Sequence, residues 1–315
     1  MRIFGPSEVV AALGYPALVE ALRQMFRSGD VVAPARHRHT IELPGGPSGS
    51  LLIMPAWQAG RHLGVKLLTI FPGNKGPDNP TLQGQYLLLD AKSGTPIALF
   101  DGPALTARRT AAASALAASY LARPDCERLL MVGAGALASH LIHAHVSVRP
   151  IVNVLVWSRN YDRAARLAQR LTRRSLKVAP TDDLQRAVNG AHIICCATPS
   201  REPLIKGHWL PLGVHIDLVG GFRPDMREAD DDTIRRARVF VDSREAVLAE
   251  AGDVIAPIEA GVMSEDDIAG DLFELSRGSR AGRRFNDQIT LFKSVGLALE
   301  DLAAAKQALE TEEPI

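Results

Sequence analysis

Three basic residues in the first third of the chain stand where an ordinary solvated charge is out of pattern. Lys66 interrupts the apolar run LGVKLLTIF. A lysine there either points to water from an edge strand or faces a cleft in which an anion compensates it, and the pattern alone favours water. Arg109 falls near the helical stripe of Leu105, Ala112 and Leu116, so it is expected to be at least partly buried. A buried guanidinium needs a carboxylate, and an internal aspartate and a bound substrate are equal alternatives as its source. Arg36, in PARHRHT, is a third basic candidate.

A second constellation suits phosphate binding. The strand RLLMV runs directly into Gly133-Ala134-Gly135-Ala136-Leu137-Ala138, a G-x-G-x-x-A turn that opens a helix. Gly133 permits the tight turn, Gly135 lets a pyrophosphate approach the backbone, and the small Ala138 lets helix pack on strand. The next strand, NVLVW, ends in Ser158-Arg159-Asn160 without the acidic residue that receives an NAD ribose. Arg159 can face a 2′-phosphate and Ser158 can hydrogen-bond it, so NADP(H) is favoured and NAD(H) is the alternative. Arg159 also fits a plain solvated charge at a strand end.

Other chemistries lack their residues. His37 and His39 alternate on one strand face without a neighbouring Cys, Asp or Glu ligand, and His140 and His143 read as structural or exposed, so no metal site is expected. There is no G-x-S-x-G nucleophile turn and no histidine with an evident triad partner. Cys126, Cys195 and Cys196 form no C-x-x-C pair and read as buried thiols of a reducing compartment.

The elements around these residues fall into two rhythms. Ser7 is expected to cap a short helix, Pro16 to start a second, and Gly29 to stop it. The runs 50–57, 62–71 and 85–101 then predict a mostly antiparallel sheet, with a loop over 71–84. Asp101 is placed to cap the Ala-rich helix that carries Arg109. Beyond it, strand and helix alternate through 128–132, 153–158, 176–179, 192–198, 214–220 and 238–242, which implies a parallel sheet with helices on both faces. Residues 289–309 are expected to form one returning helix.

The 315 residues suit two domains. With 36 Lys+Arg against 35 Asp+Glu, a net charge of +1, there is no global field for nucleic acid or an anionic membrane. The start, MRIFGPSEVV, lacks the apolar core of a signal sequence, and no run nears the roughly 20 residues that span a bilayer, so a cytoplasmic location is expected.

The segments IMPAW, GVKLLTIFPGN, LTARRTAAASALAASYLARP, VGAGALA, ATPSREPLI and DQITLFKSVGLALEDLAAA, in this order, resemble the ornithine cyclodeaminase/mu-crystallin family over nearly the whole chain. The resemblance implies an α/β fold: a Rossmann-type doubly wound parallel sheet, residues 109–288, inserted into an α+β substrate-binding and dimerisation domain, residues 1–108 plus 289–315. It further implies a homodimer in which Arg36, Lys66 and Arg109 hold the carboxylate of a small imino or amino acid beside the nicotinamide. Gly133, Gly135, Ala136, Ala138, Ser158, Arg159 and Thr198 would meet the dinucleotide.

Two departures separate the family's branches. Its cyclodeaminases carry an aspartate after the glycines of a VGG segment and a glutamate two residues before a Met-Pro pair; here those positions are Phe222 and Leu52. Cyclising ornithine calls for an acid and a base, which two apolar residues do not supply. Reducing a preformed cyclic imine asks chiefly for orientation and carboxylate binding, with Phe222 lining the ligand. The resemblance therefore implies a ketimine or Δ1-pyrroline-2-carboxylate reductase. The alternatives are a cyclodeaminase that uses, for example, Asp217, an alanine dehydrogenase-like enzyme, and a mu-crystallin-like binding protein.

Overall fold

The computed structural model describes residues 1–74, 76 and 79–312. Lys75, Pro77 and Asp78, in the expected loop, and residues 313–315 of the expected first domain lie outside them. Two units form, Met1–Thr110 with Leu297–Ile315, and Ala111–Gly296.

In the first unit the helix Pro6–Ala12 begins one residue before Ser7, so Ser7 is not its cap. Gly5 holds that position and donates its N–H to Glu8 Oε2 at 2.7 Å. Tyr15–Ser28 carries Pro16 in its first turn and ends at Gly29, whose φ of +73° is a left-handed conformation that favours glycine. Leu18, Leu22, Met25 and Phe26 form its buried stripe, and the helix packs on the C-terminal helix Ala298–Glu312. Among the described residues seven strands form one sheet, in which only the terminal pair, Arg2–Phe4 with Pro96–Asp101, is parallel. Gly49–Gln58, His62–Ile70 and Leu82–Asp90 form its antiparallel centre, and the register sets Lys66 opposite Met54 on one side and Tyr86 on the other.

These three residues face the side on which the C-terminal helix Ala298–Glu312 packs. Phe4 and Phe100 stack on that side with ring centroids 4.5 Å apart. Asp101 accepts from the Ala104 N–H at 2.8 Å and starts the helix Gly102–Leu121, as its position suggested.

The second unit holds eight parallel strands in the order Lys177–Thr181, Asn153–Trp157, Arg128–Val132, Ile193–Cys196, His215–Leu218, Thr290–Lys293, Arg238–Val241, Ile268–Asp271. Chain order reverses between Arg128–Val132 and Ile193–Cys196, the crevice where ligands of such sheets bind. All three cysteines are buried and free.

The single helix expected over 289–309 is two elements. Thr290–Lys293 is a fully buried strand, Gly296 turns the chain at φ +80°, and the helix starts at Ala298. Four buried residues of the TLFK type fit a strand or a helix equally by pattern, and only the open place between two strands decides. The division between the two units after Thr110 falls inside the helix Gly102–Leu121.

Candidate functional site

In the first unit Lys66 and Arg109 come together, and both are buried. The solvent reading of Lys66 fails because the pleat turns it to the helix-covered face of the sheet. Its Nζ lies 2.8 Å from Asp301 Oδ2 and 3.5 Å from the Thr106 hydroxyl. Arg109 donates from Nε to Asp301 Oδ1 at 3.0 Å and from an NH group to Glu300 Oε2 at 2.6 Å. Of the two sources left open for its carboxylate, the internal one is therefore present. Glu300 and Asp301 lie in the first turn of their helix, whose N-terminal dipole favours anions.

Two cations against two carboxylates make a charge-balanced core, beside which half-buried Arg36 adds a further positive charge. Burial, helped by the charges of Arg109 and Arg36, lowers the pKa of Lys66 to about 8 against the pull of Asp301. Burial opposes the charge on Arg109 too, but Asp301 and Glu300 outweigh it and raise its pKa. Arg108, its neighbour in sequence, has a different place: it donates to the Leu13 carbonyl and lies over the Tyr15 ring, 3.9 Å from its centroid.

In the second unit the glycine turn is built as its spacing suggests. Gly133 has φ +113°, and a Cβ there would lie 2.6 Å from the Ala197 carbonyl oxygen. Around the Cβ position of Gly135 there is open space, so a ligand can reach the backbone, and the helix Ala138–Val148 begins three residues on. Gly133, Gly135, Ser158, Arg159 and Thr198 line one cavity of about 180 Å³ together with Arg163. Ala136 and Ala138 are outside its lining: Ala136 is exposed, and Ala138 is buried in the helix start. Arg163 was missed; it stands in the first turn of the helix Tyr161–Leu171, where its N–H donates to the capping Asn160 side chain. These features fit a dinucleotide: a steric opening at the second glycine, a helix N-terminus behind it, and two guanidinium groups with no acidic side chain in the lining.

Phe222 is half-buried after Gly221, and Leu52 is buried in its strand. Asp217 is fully buried and accepts from Ser114 Oγ at 3.1 Å and Cys195 Sγ at 3.1 Å, with His145 Nε2 also at 3.1 Å. Burial would raise its pKa, but His145, Cys195 and nearby His215 lower it. His145, Cys195 and Asp217 bring metal-ligand atoms within 4.8 Å of one another, in a network already closed by those contacts. Both Asp217 oxygens are thus engaged by side chains of its own unit.

Glu300 and Asp301 were also missed. Their signal was a pair of acids in the otherwise apolar GLALEDLAAA, matching two bases that break apolar patterns elsewhere.

The sequence model of the ornithine cyclodeaminase/mu-crystallin family matches residues 7–313. A Δ1-pyrroline-2-carboxylate reductase of Paracoccus denitrificans is 40% identical over 95% of this chain and 93% of its own. The ketimine reductase mu-crystallin of Rattus norvegicus is 35% identical over 94% and 91%. Among solved structures, the Δ1-pyrroline-2-carboxylate reductase of Thermococcus litoralis in complex with NADH and L-proline is similar at a TM-score of 0.92 and 35% identity, covering 99% of this chain and 97% of that one.

Proposed function

The chain belongs to the ornithine cyclodeaminase/mu-crystallin family, and from that membership we propose that it is an NAD(P)H-dependent reductase of a small cyclic 2-imino acid of the Δ1-pyrroline-2-carboxylate class. The observation that carries the proposal is the end-to-end similarity to a reductase seen with NADH and L-proline, the reduced product of such an imine. Phe222 and Leu52 support it, since neither side chain can take or give a proton at the two positions where cyclodeaminases of the family carry acids.

When bound, the reduced dinucleotide supplies a hydride to the carbon of the protonated C=N bond. The chain supplies orientation and charge. Arg36, Lys66 and Arg109 bind the substrate carboxylate, with Glu300 and Asp301 fixing the directions of the two buried cations. Phe222 offers a ring to the ligand. Gly133, Gly135 and the helix after them receive the pyrophosphate, with Ala136 and Ala138 as the small residues of the turn, and Thr198 bounds the cavity from the loop after the strand Ile193–Cys196. Ser158, Arg159 and Arg163 favour a 2′-phosphate, hence NADPH over NADH, although the Thermococcus relative is a complex with NADH.

The unit of residues 1–110 and 297–315 would bind substrate and pair two chains, and the other unit would bind the dinucleotide. Register puts Leu51, Ile53, Trp57, Leu63, Val65 and Leu67 on the sheet face opposite Lys66, and none of them is buried in one chain. Such a face suits a second copy. Among the described residues no helix is long and apolar enough to cross a membrane. The cytoplasm, which keeps buried thiols reduced, is the setting we assign.

The test is oxidation of NADPH and NADH by the purified protein over five- and six-membered cyclic and linear 2-imino acids. Turnover of the cyclic imines supports the proposal. Proline and ammonia from ornithine without imine reduction, or tight dinucleotide binding without turnover of any imine, overturns it.

A further inference from the structure

Two adjacent strands of the dinucleotide unit end at Cys196 and Leu218, in register with one another, and the chain leaves each of them as a loop. One carboxylate ties the loops together. Glu228 Oε1 accepts from the Thr198 N–H at 2.7 Å and the Thr198 hydroxyl at 2.8 Å, and its Oε2 accepts from the Gly220 N–H at 2.7 Å. Glu228 is itself fixed from behind: Asp253 Oδ1 accepts from the backbone N–H groups of Glu228 at 2.7 Å and Ala229 at 3.1 Å. The other oxygen of Asp253 is 3.2 Å from Nζ of Lys293, which pairs in register with Leu218. All three charged side chains are fully buried.

The VGG segment is shaped around this trio. A Cβ on Gly220 would lie 2.1 Å from the Thr198 carbonyl oxygen and 2.6 Å from Glu228 Oε1, and one on Gly221 would lie 2.7 Å from Asp253 Oδ2 and 3.2 Å from Lys293 Nζ. Gly220 is thus demanded by the Thr198 backbone together with Glu228, and Gly221 by Asp253 and Lys293, neither of them by a positive φ.

Resting on the reading of the Thr198 cavity as the dinucleotide site, we propose that Glu228 is a positioning residue for the cofactor, holding the Thr198 and Gly220 loops as an ionised carboxylate that Lys293 stabilises. The three donors favour that form. Both backbone N–H groups can only donate, so a proton on Oε2 displaces the Gly220 bond. The balance is fine: burial raises the Glu228 pKa to about 7, Lys293 pulling it down and Asp253 pushing it up. The Cys195 and Cys196 thiols also feel its charge, but burial holds both well above their ordinary pKa and so neutral. Dinucleotide binding selects the ordered loops, so it selects ionised Glu228 and expels a proton near neutral pH.

The test uses NADH, which lacks the titrating 2′-phosphate, with the affinity measured by fluorescence between pH 6 and 9 and proton release by calorimetry in two buffers of different ionisation enthalpy. The parent protein is expected to bind NADH more tightly as pH rises through about 7 and to release a fraction of a proton. Glu228→Gln, whose amide faces the Gly220 N–H with another donor, is expected to weaken NADH about ten- to a hundredfold and to flatten the pH dependence. Lys293→Met is expected to move the midpoint up by at least about one pH unit, because two buried carboxylates then share no cation. A parent that binds NADH tightly with no pH dependence and no proton release overturns the proposal while leaving the dinucleotide reading intact, and that result needs no variant to fold. A parent that binds neither NADH nor NADPH overturns both.

Discussion

Nζ of Lys66 and Oδ2 of Asp301 stand 2.8 Å apart across 235 positions of sequence, and neither side chain reaches water. The same aspartate receives Arg109, so one carboxylate orders both cations proposed to bind the substrate. Removing it should harm fold and function together. Asp301→Asn is expected to cost about 3–5 kcal/mol of stability, the usual result of stripping one partner from a buried ion pair, and to lower kcat/KM for the imine. Thermal unfolding and steady-state rates of the same preparation check both.

Lys66 predicts the alkaline limb of activity. With its pKa lowered to about 8 by burial and the two arginines, it loses its charge above that pH, and kcat/KM should fall with it. Lys66→Arg, which stays charged, should lack that limb. Stability moves the opposite way: between about 8 and the ordinary 10.5 the unfolded chain holds a proton that the folded lysine has lost, so this group's contribution to unfolding free energy rises with pH. A falling limb that persists unchanged in Lys66→Arg would remove Lys66 as its source.

Arg109→Leu removes the guanidinium from which both Glu300 and Asp301 accept. We expect kcat/KM to drop about 30- to 1000-fold with NADPH affinity nearly unchanged, and stability to fall as well. Adding Glu300→Gln should restore part of the stability but not the rate, since it relieves excess buried negative charge without replacing the substrate contact. Full rate in a folded Arg109→Leu protein would make the arginine a core ion-pair residue alone.

Arg159→Asp is expected to weaken NADPH by about tenfold or more and to leave NADH equal or improved, because a carboxylate repels the 2′-phosphate and accepts from a free ribose. Arg163→Ala should weaken NADPH in the same sense. Fluorescence titrations with both cofactors decide, and a lower dissociation constant for NADH in the parent would reverse the assigned preference.

Sedimentation is expected to give twice the 33.9 kDa chain mass. Leu67, 47% exposed on the apolar sheet face, is the site to break it: Leu67→Glu should yield monomer at micromolar concentration. A parent that sediments as a single chain would leave that face without a second copy.

Much of this was written in the sequence, and what was written there is local. The strand, glycine turn and helix at 128–148 follow from sterics within a few residues: Gly133 needs a positive φ, and Gly135 needs nothing beside it. The burial of Arg109 followed from helical spacing, and the choice of an imine reductase over a cyclising enzyme rested on two side chains that lack carboxylates. What the sequence left open depends on closure of the chain. That Lys66 turns inward was decided by a carboxylate 235 residues away, whose energy exists only when the last helix lies on the sheet. Thr290–Lys293 became a strand because a buried place between two other strands accepts it, not because its residues exclude a helix. The bond from Glu228 to two strand ends arises the same way. Local sterics act at every stage of folding and can be read from neighbours in sequence, whereas pairing of buried charges is favourable only after burial has removed water, so it is settled by the tertiary structure.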